Sequence, residues 1–132
     1  MATATCLEDL VAWQRCIELN QAVSELVASV ADQGLADQML RAANAAPALI
    51  AEGFKRYTTP EFVRYLRMAR GELGELQTDL EIVRRRCYVS ATHFEAVNTL
   101  ARRAMGTTTN LLKVKLRHLD AERQKKRRSL AP

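Results

Sequence analysis

The chain has 132 residues, 48% hydrophobic and 27% charged, with 5 Gly, 3 Pro, one Trp, three Tyr, three Phe and a formal charge of +5. A domain of this length removes roughly two-thirds of its unfolded surface from water and needs no disulfide staples; the scarcity of Gly and Pro, set against abundant Ala, Leu, Arg and Glu, excludes collagens, β-sandwiches and disordered chains. No apolar run approaches the ~20 residues of a membrane span. The opening MATATCLEDL has no basic-then-apolar leader, so a cytoplasmic protein is expected.

From Leu7 to Val30, Ala12, Cys16, Leu19, Val23, Leu26 and Val30 recur at spacings of three and four, with Leu10, Trp13, Ile17 and Val27 widening the stripe: one amphipathic helix. Ala31-Asp32-Gln33-Gly34 breaks it, with Gly34 free to take the left-handed geometry that ends helices. A second stripe, Leu35, Met39, Ala42, Ala46 and Leu49 or Ile50, runs to Gly53-Phe54. Pro47 lies inside it and removes one backbone hydrogen bond, which predicts a kink. The small residues Ala42, Ala43, Ala45, Ala46 and Ala48 let a neighbouring helix come close.

Thr59-Pro60-Glu61 is a start signal, with Thr59 as cap and Pro60 at the first helical position. The third helix has the cleanest seam: Phe62, Leu66, Ala69, Leu73, Leu76, Leu80 and Val83 alternate spacings of four and three, as knobs-into-holes packing requires. Gly71 and Gly74 lie off that seam; each costs a helix up to about 1 kcal/mol relative to Ala, which points to close approach by another helix or subunit. Cys87-Tyr88-Val89-Ser90 is the next break. The fourth helix carries Phe94, Val97, Leu100, Ala101, Ala104, Met105, Thr108, Leu111, Leu112 and Leu116, closing at Leu119, and a frayed segment is expected from Glu122. The expected architecture is all-α: an up-down-up-down antiparallel four-helix bundle over residues 1–120 with a basic, flexible tail over 121–132.

The charge is uneven. Residues 113–128 hold Lys113, Lys115, Arg117, Arg123, Lys125, Lys126, Arg127 and Arg128 against Asp120 and Glu122, a net +6, so the rest of the chain carries −1. Such a stretch is a candidate polyanion-binding surface. Arg64, Arg67 and Arg70 lie among acidic neighbours, whereas at least one of the consecutive Arg84, Arg85 and Arg86 is expected to add to a basic surface. Tyr57, Tyr65, Tyr88 and Trp13 are too scattered for a stacking platform, so phosphate contacts should dominate. Trp13 reads as a core or interface anchor.

Nothing in the sequence assembles catalytic chemistry. His93 and His118 stand about 37 Å apart on one helix at 1.5 Å per residue, so they cannot share an intrachain metal. No HExxH, GxxxxGK[ST], GxGxxG or GxSxG occurs. Cys6, Cys16 and Cys87 lack CxxC spacing and read as free thiols. Neither a metal, a cofactor nor an enzymatic activity is expected. Glu52, beside an apolar stripe, calls for a cationic partner, with Arg41 or Arg70 as candidates.

Asp37-Gln38-Met39-Leu40-Arg41-Ala42-Ala43, then Pro47 and Ile50-Ala51-Glu52-Gly53-Phe54-Lys55-Arg56, resembles the four-helix bundle proteins encoded in bacterial 23S rRNA intervening sequences. The likeness continues through Glu61-Phe62, Leu66, Ala69-Arg70-Gly71 and Leu73-x-Glu75-Leu76, with Leu10-x-x-Trp13-Gln14 near the start. The same family is similar to the accessory variability protein of diversity-generating retroelements. The resemblance implies a cytosolic bundle assembling as a ring, a homopentamer, with a basic surface for RNA or DNA and, in the retroelement branch, a reverse transcriptase partner. It carries over no catalytic residue; Trp13, Arg41, Pro47, Glu52, Gly53, Arg56, Arg70, Gly71 and Glu75 are motif positions of structural or interface character. Where the family often has Ser-Ile-Pro-Ser-Asn-Ile, this chain has Ala45-Ala46-Pro47-Ala48-Leu49-Ile50, and Gly71-Glu72 replaces the usual Gly-Ser. Two functions follow as expectations: an oligomeric nucleic-acid-binding protein, or a scaffold whose partner is another polypeptide. A small-ligand carrier would need a deep polar pocket around Glu52.

Overall fold

A computed structural model describes residues 6–131. The segment MATAT, part of the expected leaderless N-terminus, and Pro132 lie outside the described residues. A short 3-10 turn at Leu7–Asp9 leads into α1 (Val11–Leu26), followed by α2 (Gln33–Phe54), α3 (Thr59–Arg85) and α4 (Ala91–Leu130). Among the described residues there is no strand. Connections of six, four and five residues join consecutive helices; α1 packs on α2 and α4, and α3 packs on the same two. This arrangement is consistent with a four-helix bundle, in which short loops make sequential helices neighbours.

The first helix is shorter than its apolar stripe. Leu10 is extended and α1 starts at Val11, while Val27–Ser29 tightens into a 3-10 turn. Ala12, Cys16, Leu19, Val23 and Leu26 are buried as the period predicts, but Ile17 points out at 42% exposure. The turn into α2 does not use Gly34, since no described glycine has positive φ. Val30 and Asp32 instead take extended conformations, and Asp32 caps α2 by accepting the Leu35 N–H at 3.1 Å. An Asx cap satisfies an orphan donor that a glycine turn would leave to water.

α2 runs unbroken through Pro47. Proline has no N–H for the carbonyl four residues before it, here Ala43. That acceptor is satisfied from outside: Asn20 on α1 donates through Nδ2 to the Ala43 carbonyl at 3.0 Å and to Asn44 Oδ1 at 2.6 Å. Helix register between α1 and α2 is therefore set by a polar contact as well as by the buried alanines Ala42, Ala43 and Ala46.

α3 realises its predicted seam in full: Phe62, Leu66, Ala69, Leu73, Leu76, Leu80 and Val83 are all buried. Its cap shifts by one residue, because Thr58 is the N-cap and Thr59 sends its hydroxyl across to Glu122 Oε1 on α4 at 2.7 Å. Cys87 closes the helix at φ 57°, the one described non-glycine residue in the left-handed region. Ser90 caps α4 by accepting from the His93 N–H at 3.1 Å. α4 then continues to Leu130, beyond the fraying expected from Glu122. Once nucleated on the packed turns before Leu119, a run of Ala, Glu, Arg, Gln and Lys adds helical residues at little cost.

Two polar side chains enter the core. Thr108 is fully buried beside Cys16, whose thiol burial pushes up to about 11 and so keeps protonated and unreactive. Asp79 is 2% exposed; Oδ1 accepts from Gln38 Nε2 at 2.9 Å, while Oδ2 has no partner. Burial raises the Asp79 carboxyl above the usual carboxylate range, with Glu75 adding to it and the Gln38 bond opposing it.

Two outcomes follow from these contacts. Asn20→Ala should destabilise the protein by about 1 kcal/mol, and by much less in a Pro47→Ala background, where residue 47 regains an N–H for the Ala43 carbonyl; denaturant unfolding of the four proteins measures the coupling, and additive effects would refute it. Asp79 has its folded pKa above its unfolded one, so its contribution is fully present below the unfolded pKa and is lost as pH rises through the folded pKa. Asp79→Asn should accordingly gain about 1 kcal/mol at neutral pH, with the gain vanishing in acid; thermal melts at the two pH values check it.

Candidate nucleic-acid interface

Forty residues at 1.5 Å each make α4 about 60 Å long. The 27 residues of α3 reach about 40 Å, so α4 overhangs its neighbours. The Thr59–Glu122 bond marks where it passes the start of α3. After Leu119 no described residue is buried. Of the eight cations in 113–128, Lys115 is half-buried and Lys113, Arg117, Arg123, Lys125, Lys126, Arg127 and Arg128 are exposed. None of the eight lies in an ion pair among the described residues. At 100° per residue Lys113, Arg117 and Arg128 share one face and Lys115 and Lys126 the opposite one. The projecting helix is thus basic all round.

The motif residues build the corner where α2 turns into α3. Gly53 is buried there because a Cβ would stand 2.8 Å from Tyr65 Cβ and 2.9 Å from Phe62 Cδ1. Phe54 meets Phe62 edge to face at 6.3 Å between centroids. Glu52 finds its cation in Arg56, at 2.6 Å, rather than in Arg41 or Arg70, because the turn that ends α2, closed by the Arg56 N–H on the Gly53 carbonyl at 3.1 Å, folds Arg56 back beside the last helical turn. Arg56 also donates to the Tyr65 hydroxyl at 3.0 Å, and Arg56 and Arg64 lie 5.2 and 4.9 Å from the Tyr65 ring centre. Glu52 remains half-exposed in this pair and does not floor a polar cavity.

Beside that corner lies a cleft of about 240 Å³ lined by Phe54, Arg56, Tyr57, Thr58, Thr59, Phe62 and Lys115. Lys115 Nζ sits 5.4 Å from the Phe62 ring centre, a cation–π contact that ties the basic stretch to the corner. Tyr57 stands wholly in solvent.

The other motif positions separate from this site. Trp13 is half-buried against the core. Arg41 faces Glu72, whose carboxyl is raised by burial and by Glu75 and lowered by Arg41. Arg70, Gly71 and Glu75 are exposed on α3. A Cβ on Gly71 would meet nothing within 4 Å, and on Gly74 only Met105 Cε at 3.9 Å, so within the chain no helix uses the space they leave. Arg84 and Arg85 both bind Glu81, whose carboxyl they hold down at about 2, and Arg86 pairs with Asp32 at 3.4 Å. All three are exposed, as consecutive residues require, and three cations share two carboxylates, which leaves a net +1 on that surface.

Asn20 went unmarked by periodicity; the signal was Pro47, whose missing N–H demands a donor from elsewhere. Among the described residues no group of three His, Cys, Asp or Glu side chains could hold a metal ion, and no helix is long and apolar enough to cross a membrane.

The fold is shared with a protein of unknown function from the S23 ribosomal protein family of Bacteroides thetaiotaomicron VPI-5482, at a TM-score of 0.71 and 20% identity, covering 78% of this chain and 96% of that one. No curated protein matches the chain. Residues 8–110 match the model of the 23S rRNA-intervening sequence protein, a span that includes every motif position above and ends before the basic stretch of α4. By that match this chain belongs to the 23S rRNA-intervening sequence protein family.

Proposed function

We propose that this protein is a non-enzymatic, self-assembling nucleic-acid-binding protein of the cytoplasm that grips RNA or DNA phosphates with the basic stretch of α4. The observation that carries the reading is the continuation of α4 to Leu130 as a solvent-bathed helix bearing Lys and Arg on all sides. Glu52, Glu81 and Asp32 engage Arg56, Arg84, Arg85 and Arg86; in 113–128 eight cations face only Asp120 and Glu122, and none of the eight lies in an ion pair among the described residues. Contacts of this kind position a polyanion without reading its sequence.

Self-assembly is supported by α3. Gly71, Gly74, Thr78, Ile82 and the 43%-exposed Met68 fall on one outer face, beside a shallow trough lined by Gly74, Gln77, Thr78, Glu81, Ile82 and Arg85. Two helical glycines that serve no contact inside the chain have a use if a second copy's helix seats there. The family resemblance implies an assembly as a ring of five. Multiple copies would turn modest phosphate contacts into avidity. The same trough favours a second reading, an accessory subunit such as one serving a reverse transcriptase, in which a different polypeptide occupies it; a pull-down that survives nuclease would favour that reading.

Anisotropy with labelled RNA and DNA should give nanomolar-to-micromolar affinity that falls linearly against log salt, by about 0.7–0.9 per phosphate contact. Deleting residues 121–132 should flatten that slope and abolish most binding, and an affinity indifferent to salt would overturn the proposal. Gly71→Ala with Gly74→Ala should leave the fold as stable or up to about 1 kcal/mol more stable per site, yet lower the mass seen by light scattering; an unchanged mass would remove this face from the assembly.

A further inference from the structure

We infer that Tyr57 and the cleft beside it form a stacking subsite for one unpaired nucleobase, so that the preferred ligand is a single-stranded nucleic acid. The inference rests on the nucleic-acid reading above and narrows it to a class of strand. Tyr57 is 103% exposed, with both faces of its ring open. The other two tyrosines are occupied: Tyr65 lies against Arg56 and Arg64, and Tyr88 packs on the core. Nothing in the bundle accounts for an aromatic ring held entirely in water.

Its placement is fixed. Tyr57 sits in the four-residue connection between α2 and α3. That connection is held by the Gly53 contact with Phe62 and Tyr65 and by Arg56 bonded to Glu52 and Tyr65. The short, pinned connection keeps the ring beside the cleft. The adjoining cleft offers the Thr58 hydroxyl, which makes no cap bond, together with Arg56 and Lys115, over a floor of Phe54 and Phe62. At about 240 Å³ it is smaller than the ~300 Å³ at which small-molecule sites begin, a size for one unit of a longer chain.

Lys115 belongs to both features. A strand whose phosphates follow Lys126 and Lys115, on one face of α4, is delivered to the cleft. Glu52, Glu61 and Glu122 flank the corner and offset its cations, so the gain there comes from the ring rather than from additional phosphates. Stacking on one aromatic is indifferent to base identity but requires the base to be out of a helix. A duplex offers α4 its phosphates and offers Tyr57 no base face.

The test is anisotropy with twelve-nucleotide fluorescein-labelled single strands of adenylate as RNA and as DNA, an abasic strand of equal charge, and a twelve-pair duplex. Wild-type protein should bind both adenylate strands more tightly than the abasic strand or the duplex. Tyr57→Ala should weaken adenylate binding roughly 5- to 100-fold, leave the abasic strand, the duplex and the salt slope unchanged, and leave the mass in light scattering unchanged. Tyr57→Phe should behave as wild type, since the ring and not the hydroxyl stacks. If all probes bind with steep salt dependence but Tyr57→Ala matches wild type, or weakens every probe alike, the subsite is overturned and phosphate binding by α4 stands. If Tyr57→Ala lowers the mass, Tyr57 is a protein contact and the subsite is overturned. If wild-type protein binds no probe at low salt, both the subsite and the nucleic-acid reading fall.

Discussion

The whole arrangement turns on how thin α2 is. Along the faces it presents to α1 and α3 its buried side chains include Ala36, Ala42, Ala43, Ala46, Pro47 and Gly53. At Gly53 the approach of α3 is so close that a single methyl group would run into Tyr65 and Phe62. Substituting any larger residue there would push apart the corner that carries Arg56 and Tyr57, and with it the contact between Phe62 and Lys115. A helix lined by small residues contributes little apolar volume, so the surrounding leucines of α1 and α3 supply the bulk of the core.

Close approach also makes polar matching strict. Pro47 leaves the Ala43 carbonyl without its helical donor in a region where water has little access, and Asn20 answers it from the neighbouring helix. Asp79 is the counter-example, a carboxylate taken into the same interior with one oxygen unmatched. Thr108 is a second, neutral one. Both lie outside the corner and the basic stretch of α4, so the polar irregularities of the core and the candidate site are separate features.

Charge is handled differently at the two ends of the bundle. Where α3 gives way to α4, Arg84, Arg85 and Arg86 are engaged by Glu81 and Asp32. At the other end the cations of α4 run past the bundle and outnumber Asp120 and Glu122. The family match covers residues 8–110, and the basic stretch follows it on the same continuous helix α4.

The apolar spacing in the sequence determined four helices and the buried seam of α3 residue by residue, because each depends on neighbours within one or two turns. The excess of positive charge at residues 113–128 was equally plain. Only tertiary structure decided that Ile17 faces solvent, that Asn20 serves the carbonyl freed by Pro47, that Glu52 pairs with Arg56, and that Arg86 is taken up by a residue 54 positions away. The length of α4 was undersold for a related reason: an apolar pattern reports where a helix is packed, whereas helical propensity and a nucleated end decide how far it runs. Likewise the tyrosines look scattered along the chain, and it is the fold that covers Tyr65 and Tyr88 and leaves Tyr57 bare beside Lys115, because exposure is set by what packs above a residue and not by its place in sequence.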